Sequence, residues 1–225
     1  MLQHLAAVAA GFLLVAGVTG CNSSTQVTPR TETIDLPPVP LESEDSVEGA
    51  LFRRRSVREF GSQALDLESI GRLLWSAQGE TEQGGAGRSA PSAGGTYPLE
   101  VYAVTGEGLL HYLPHGHRAE WIGRVDLRDR LHRAALDQTA VRDAPLVLVI
   151  TAVPARTEER YGERAERYVF LEAGHAAQNV LLQATALGLG AVPIGAFRDD
   201  DVAAVLHLAA GEVPVYLIPV GHPPG

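Results

Sequence analysis

The 225-residue chain contains no lysine; all eighteen of its basic residues are arginine. No side chain can therefore form a Schiff base or act as an amine base of lowered pKa, and every fixed cation is a planar fork suited to phosphates and carboxylates. The net charge of −9, with neither a basic helix nor an extended basic run, sets aside a general nucleic-acid binder and a binder of anionic membrane surfaces. A single cysteine, Cys21, excludes an intramolecular disulfide and a thiolate–metal cluster. Two catalytic signatures are missing as well: GxxxxGK[ST], which would cradle a nucleotide phosphate, and GxSxG, which would present an acyl-transfer serine.

One long apolar run is present, and it is short of a bilayer span: Leu5 to Val18 is fourteen residues, against the ~20 that cross a membrane. It ends in Val18-Thr19-Gly20-Cys21, a small-residue site abutting the only cysteine, and resembles a bacterial lipoprotein signal with its lipobox, although the leading MLQHL lacks Lys or Arg. That resemblance implies a signal peptide over 1–20, lipidation of Cys21, and a protein held in the cell envelope outside the cytoplasm by its N-terminal lipid. Residues 21–44, rich in Ser, Thr, Pro and Glu and without helical or strand period, read as a flexible tether. A globular domain is expected over 45–225.

Within the domain, residues 46–54 have helical character, and a clearer helix follows Asp66, with Leu67, Ile70, Leu73, Leu74 and Ala77 on one face until Gly79. A Gly/Ser/Pro loop over 79–96 leads to a strand at Leu99–Thr105, a hairpin around Pro114-His115-Gly116, and a helix from Asp126 to about Ala135. The unbroken apolar run 145–152 suits a strand covered on both faces. Residues 164–187 form a long helix whose Ala173, Gly174, Ala176, Ala177 and Ala184 permit close packing, while Glu172, His175, Asn179 and Gln183 make a polar stripe along it. The segment 189–197, a short helix from Asp199 and a last strand complete an α+β pattern of helices on both sides of a sheet.

Four of the six positions 53–58 are arginine, around Ser56. Forks and a hydroxyl at a helix-to-loop break can neutralise and hydrogen-bond a phosphate monoester. Gly94 and Gly95 allow backbone to approach a flat ligand, and Arg88 adds another cation nearby. Together these favour a planar, phosphorylated cofactor. Gly188-x-Gly190 is not a dinucleotide fingerprint, because it follows a helix and precedes a strand, the reverse of the required order. His111, His115 and His117 straddle the hairpin with only Glu120 as a nearby carboxylate, so no metal site is expected. Glu172-x-x-His175 is half of a di-iron pattern whose second copy is missing, and the stripe reads as an interface or a core network.

Arg54-Arg55-Ser56-x-Arg58, PSAGGTYP at 91–98 and GLGAVPIGAF at 188–197 occur in the order seen in the FMN-dependent nitroreductase superfamily. RSAPSAGGTYPLEVY with RYVFLEAGHAAQN resembles its SagB/ThcOx-type dehydrogenase branch, over about residues 46–222. The resemblance implies a three-layer α/β/α sandwich with a mainly antiparallel mixed sheet, and a homodimer with FMN at its interface. Arg54, Arg55, Ser56 and Arg58 would hold the phosphate, ribityl chain and pyrimidine edge, with Arg88 close by. Pro91, Ser92, Ala93 and Gly95 would reach the flavin from the partner subunit, and Pro193, Ile194 and Gly195 would lie along its ring. Nitroreductases of the best-known type carry a glutamate where Gly195 stands, and His222 occupies the place of a C-terminal phosphate-binding cation. Where azoline-oxidising members have a catalytic Lys-Tyr pair, this chain has Arg160-Tyr161. Arginine is not deprotonated, so Tyr161 would be the base. The implied reaction is hydride transfer between flavin and a small-molecule or peptide substrate, with an NAD(P)H-dependent nitro or quinone reductase and a non-catalytic envelope lipoprotein as alternatives.

Overall fold

The structure is a computed structural model that describes residues 32–38, 46–82 and 87–224. The expected signal peptide and Cys21 lie outside the described residues. The strand order is set by the most apolar segment. β5 (Leu146–Ala152) is buried along its whole length, because Leu146, Leu148 and Ile150 enter one core while Val147 and Val149 enter the other. β2 (Leu99–Thr105) and β7 (Val213–Gly221) flank it, both antiparallel. β3 (Gly108–Leu113), β4 (Arg118–Gly123) and β1 (Glu32–Asp35) extend the sheet on the β2 side, and β6 (Gly190–Ala191) closes it beyond β7. All seven strands pair antiparallel, and one isolated parallel bridge joins Ser56 to Ala191.

Helices cover both faces, giving the three layers expected of an α+β sandwich. On one side α2 (Leu67–Gln78) and α6 (Ala165–Ala186) lie on the first core, and on the other α3 (Arg128–Ala134), α4 (Thr139–Asp143) and α7 (Asp199–Leu206) lie on the second. α2 is capped by Asp66, whose carboxylate accepts from Ser69 N–H at 2.7 Å, satisfying one of the orphan donors of a helix start. At its end Gly79 is required by space, since a Cβ there would fall 2.1 Å from the Trp75 ring. The alanines of α6 at 173, 176, 177 and 184 are buried in the first core. α1 (Val47–Arg53) and α5 (Ala155–Tyr161) pack on α6 as well.

The reading of 21–44 as tether needs one correction. Glu32–Asp35 is an edge strand in register with Arg118–Trp121 of β4, and Leu36 beyond it is buried in the first core. Four residues with one inward isoleucine carry too little alternation to be read locally; the strand exists because β4 offers an open edge.

Candidate functional site

The predicted residues gather into two sets. The first forms where α1 ends. Arg54 N–H donates to Ala50 O at 2.9 Å as the helix stops, and the chain then runs extended beside β6. Ser56 bridges Ala191, and Val57 N–H donates to Ala191 O at 3.0 Å. Gly190 makes this approach possible, for a Cβ there would sit 2.6 Å from Val57. β6 pairs in turn with the end of β7, Gly190 opposite Gly221, and Gly61 N–H donates to His222 O at 2.9 Å. Arg54, Ser56, Arg58, His222 and the Pro193–Gly195 segment that follows β6 are thus brought to one edge of the sheet. Ile194 is buried and exchanges two backbone hydrogen bonds with Leu217, at 2.8 and 3.0 Å, while Gly195 is exposed. Arg55 turns back: its Nη1 donates to Phe52 O and Arg54 O, both at 2.8 Å. That places its charge on the carbonyl end of α1, where the helix dipole is negative.

The second set is the loop that contains Pro91, Ser92, Ala93 and Gly95. Ala93–Gly95 form a single 3₁₀ turn with Gly94 at φ +62° and Gly95 at φ +68°, and Tyr97 follows at φ +44°. A left-handed aromatic residue is strained, so its surroundings must hold it. Tyr97 N–H donates to Ser92 Oγ at 2.9 Å, the Arg88 guanidinium stacks 4.4 Å from the Tyr97 ring centre, and Arg156 donates to Tyr97 O at 3.1 Å. Thr96 and Thr157 hydroxyls meet at 2.9 Å and tie the loop to α5.

α5 also carries the predicted catalytic pair onto this loop. Arg160 Nη1 donates to Gly94 O at 3.0 Å. A Cβ on Gly94 would lie 2.6 Å from Tyr161 Oη and 2.8 Å from Arg160 Nη1, so both side chains rest on that glycine. Tyr161 packs edge-on against Tyr168 of α6 at 4.9 Å. The loop and the pair, unconnected in the sequence reading, are one contact surface.

Beneath the loop lies a buried polar group, part of the α6 stripe that the sequence reads as an interface or a core network. Glu172 and Asn179 of the α6 stripe both face the arm 88–92: Asn179 Nδ2 donates to Ser89 O at 3.0 Å, and Ser92 acts on the Glu172 carboxyl. His175 of the same stripe is exposed. Gln78, the last residue of α2, is buried and its Oε1 accepts from Arg88 Nη1 at 3.0 Å. Burial pushes the Glu172 carboxyl up to about 7, although Ser92, Arg88 and Gln78 act against that rise. Its only signal in the sequence is a charged residue on the inner face of an apolar helix.

The hairpin histidines are separated by the fold. His111 lies between Glu100 at 2.8 Å and Glu120 at 3.2 Å, so β2 supplies a second carboxylate in addition to the expected Glu120. His117 meets Tyr112 Oη at 2.9 Å, and His115 is largely exposed. Among the described residues no group of His, Cys, Asp and Glu is arranged to hold a metal.

This architecture and site order match the nitroreductase family over residues 51–222, and the chain belongs to that family. A protein of Methanocaldococcus jannaschii assigned by name to the nitroreductases is 43% identical over 197 residues, covering 85% of this chain and 96% of its own. A crystal structure from Ralstonia eutropha JMP134, also assigned to the nitroreductases, superposes with a TM-score of 0.78 at 32% identity, over 86% of this chain and 90% of that one. The microcin B17-processing protein McbC of Escherichia coli is 26% identical over 64% of this chain and 57% of its own length.

Proposed function

We propose that this protein is an FMN-dependent oxidoreductase of the SagB/ThcOx type, acting as a homodimer on a small-molecule or peptide substrate. The observation that carries the reading is the contact of Arg160-Tyr161 with the Gly94 turn, which puts a proton-handling pair against the loop that resembles a flavin-binding one. The residues present fit FMN. Two arginines and a hydroxyl at an exposed helix end match a phosphate monoester, the Gly94-Gly95 turn leaves backbone open to a ring, and Ile194-Gly195 offers backbone beside it. When bound, FMN would supply hydride acceptance and donation at N5.

The chain's own residues do the rest. Arg54, Ser56, Arg58 and His222 anchor the phosphate end, and the Ser92–Gly95 loop positions the ring across the subunit boundary. Tyr161 gives or takes the substrate proton, while Arg160, which cannot deprotonate, holds the Gly94 carbonyl. A homodimer is supported by an apolar face: Val47, Leu51 and Phe52 on α1 and Phe170 and Leu171 on α6 are all exposed, on helices that pack together. The likeness to McbC, named for processing a microcin, favours a peptide among the substrate classes. Lipidation at Cys21 would place the reaction outside the cytoplasm, where NAD(P)H is scarce, so electrons would come from an exported substrate and leave to oxygen or a membrane acceptor.

The M. jannaschii relative favours a second reading, an NAD(P)H-dependent nitro or quinone reductase. The test is the visible absorption spectrum of the purified protein, followed by FMN titration and anaerobic bleaching. A structured flavin spectrum bleached by a peptide or thiazoline-type donor supports the first reading. Rapid bleaching by NADPH with nitroaromatic turnover supports the second. A colourless protein indifferent to FMN would sink both and leave a binding lipoprotein that keeps the fold.

A further inference from the structure

Three residues of the 92–97 turn have left-handed backbone, and only two of them are glycine. Gly94 and Gly95 adopt positive φ without penalty, whereas Tyr97 at φ +44° crowds its own Cβ. A glycine at 97 would remove that strain. A tyrosine persists in such a conformation only where its surroundings over-determine it, and two arginines from different elements do so, one on each side of the residue.

The carbonyl side is held by the start of α5, which makes one contact to each of residues 96–98. Thr157 Oγ1 meets Thr96 Oγ1 at 2.9 Å, Arg156 Nη1 donates to Tyr97 O at 3.1 Å, and Val153 N–H donates to Pro98 O at 2.8 Å. Arg156 is itself fixed. Its Nη2 donates to Glu100 Oε1 of β2 at 2.5 Å, and the other oxygen of that carboxylate lies 2.8 Å from His111 Nε2 of β3. A planar guanidinium bound through one arm to the sheet aims its other arm in a set direction.

The ring side is held by Arg88. Its guanidinium carbon stands 4.4 Å from the centre of the Tyr97 ring, within the range of a cation–π contact. Arg88 Nη1 donates to Gln78 Oε1 at 3.0 Å, and Gln78 is 1% exposed at the end of α2, so this cation too is anchored to a rigid element. Arg88 needs a ring at 97, which a glycine would not supply. Between the two arginines the Tyr97 N–H points to Ser92 Oγ at 2.9 Å and closes the turn around Gly94 and Gly95.

We propose that Tyr97 is a positioning residue for the cofactor loop, its left-handed backbone clamped by Arg88 on the ring and Arg156 on the carbonyl so that the Ser92–Gly95 backbone is presented in one conformation. This rests on the reading that Ser92–Gly95 contact FMN. Loss of either arginine lets Tyr97 relax to negative φ, withdraws its N–H from Ser92 and opens the turn.

The experiment uses the full chain and compares Arg156→Met and Arg88→Met in two backgrounds, wild type and Tyr97→Gly, in which left-handed backbone carries no strain. The Arg156 side chain is 43% exposed, so its replacement leaves both cores intact. Without cofactor, the backbone amide and Cα NMR shifts of residues 94–97 are expected to move in R156M and R88M, and to stay in place when either change is added to Y97G. With FMN, fluorescence titration is expected to show R156M weakening binding about tenfold in wild type, the loss for one charge-assisted hydrogen bond, and about twofold or less in Y97G. Unmoved shifts in both arginine variants would overturn the proposal. So would an equal loss of FMN affinity in the two backgrounds, which would mean that the arginines act on the cofactor without passing through residue 97, and so would unchanged affinity in R156M and R88M, which leaves the flavin reading intact. Shifts that move as expected in a protein that never binds FMN would uphold the clamp and remove the cofactor reading instead.

Discussion

Two adjacent glycines separate backbone strain from crowding in the site. Gly94 and Gly95 have nearly the same left-handed φ, +62° and +68°, so alanine at either costs about 1 kcal/mol in conformation. Their surroundings differ. A Cβ at 95 has Tyr97 as its nearest neighbour at 3.9 Å, which is ordinary contact, whereas a Cβ at 94 meets Tyr161 Oη at 2.6 Å and Arg160 Nη1 at 2.8 Å. Gly94→Ala must therefore displace both side chains and weaken the Arg160 bond to Gly94 O, which is worth about 1 kcal/mol. At roughly 2–4 °C per kcal/mol for a domain of this size, Gly95→Ala should lower the unfolding midpoint by about 2–4 °C and Gly94→Ala by about twice that. Thermal unfolding by circular dichroism measures the difference, and turnover locates it: Gly94→Ala should lose substrate oxidation beyond its loss of flavin, while Gly95→Ala loses flavin affinity alone. Equal midpoints and equal turnover per bound flavin would refute the claim that Arg160-Tyr161 is positioned by this glycine.

Three further outcomes follow from other parts of the chain. Arg54→Ala and Arg58→Ala should each weaken FMN binding in a fluorescence titration by more than Arg55→Ala, whose guanidinium is spent on the end of α1; an equal loss at all three would place Arg55 on the phosphate. Gly190→Ala would drive a Cβ into the branched Val57 and should cost about 1–3 kcal/mol of overpacking, with Val57→Ala in the same chain recovering part of the loss in denaturant unfolding; no recovery would mean the seam between 56–57 and β6 does not limit stability. For His111, burial works to lower the pKa, but the hydrogen bonds and charges of Glu100 and Glu120 outweigh it and the net shift is upward. Its contribution should thus be complete below the unfolded value near 6.5 and lost as pH rises through the higher folded one, so the stability margin over His111→Gln should shrink as pH rises above about 6.5, and a margin that grows with pH would contradict the pairing.

The parts of the fold legible in sequence are those whose pattern is complete within one segment. Leu99–Thr105, the apolar 146–152 run, α2 with its Asp66 and Gly79 boundaries, and α6 all declare themselves by period, length and cap. β1 does not, because its reason for being a strand is the edge of β4, some eighty residues away in the chain. α5 was equally silent: ARTEERY has no apolar stripe, and it is Thr157 on Thr96 and Arg160 on Gly94 that place it. The site divides in the same way. Arg54, Ser56, Arg58 and the Gly94-Gly95 loop were visible as residue types suited to phosphate and ring. Gln78 was not, and the Glu172–Asn179 stripe was visible without its target, since only the fold shows which loop the inner face of α6 meets.

That division explains why one helix matters more than its composition suggests. The period of α6 turns Val169, Ala173, Ala176, Val180 and Ala184 into the core, and their small size lets α2 come close enough to present Gln78 beside Glu172. Seven residues apart, Glu172 and Asn179 return to the same side of the helix after two turns, and each addresses a different point on the arm, Ser92 and Ser89. The opposite side exposes Phe170 and Leu171 next to the exposed face of α1. Loop geometry and the proposed subunit contact are thus set on opposite faces of a single rigid element. On the proposed reading, a displacement of α6 by a partner would act on the 88–92 arm through the Asn179–Ser89 contact, and flavin affinity and subunit association would then be coupled equilibria.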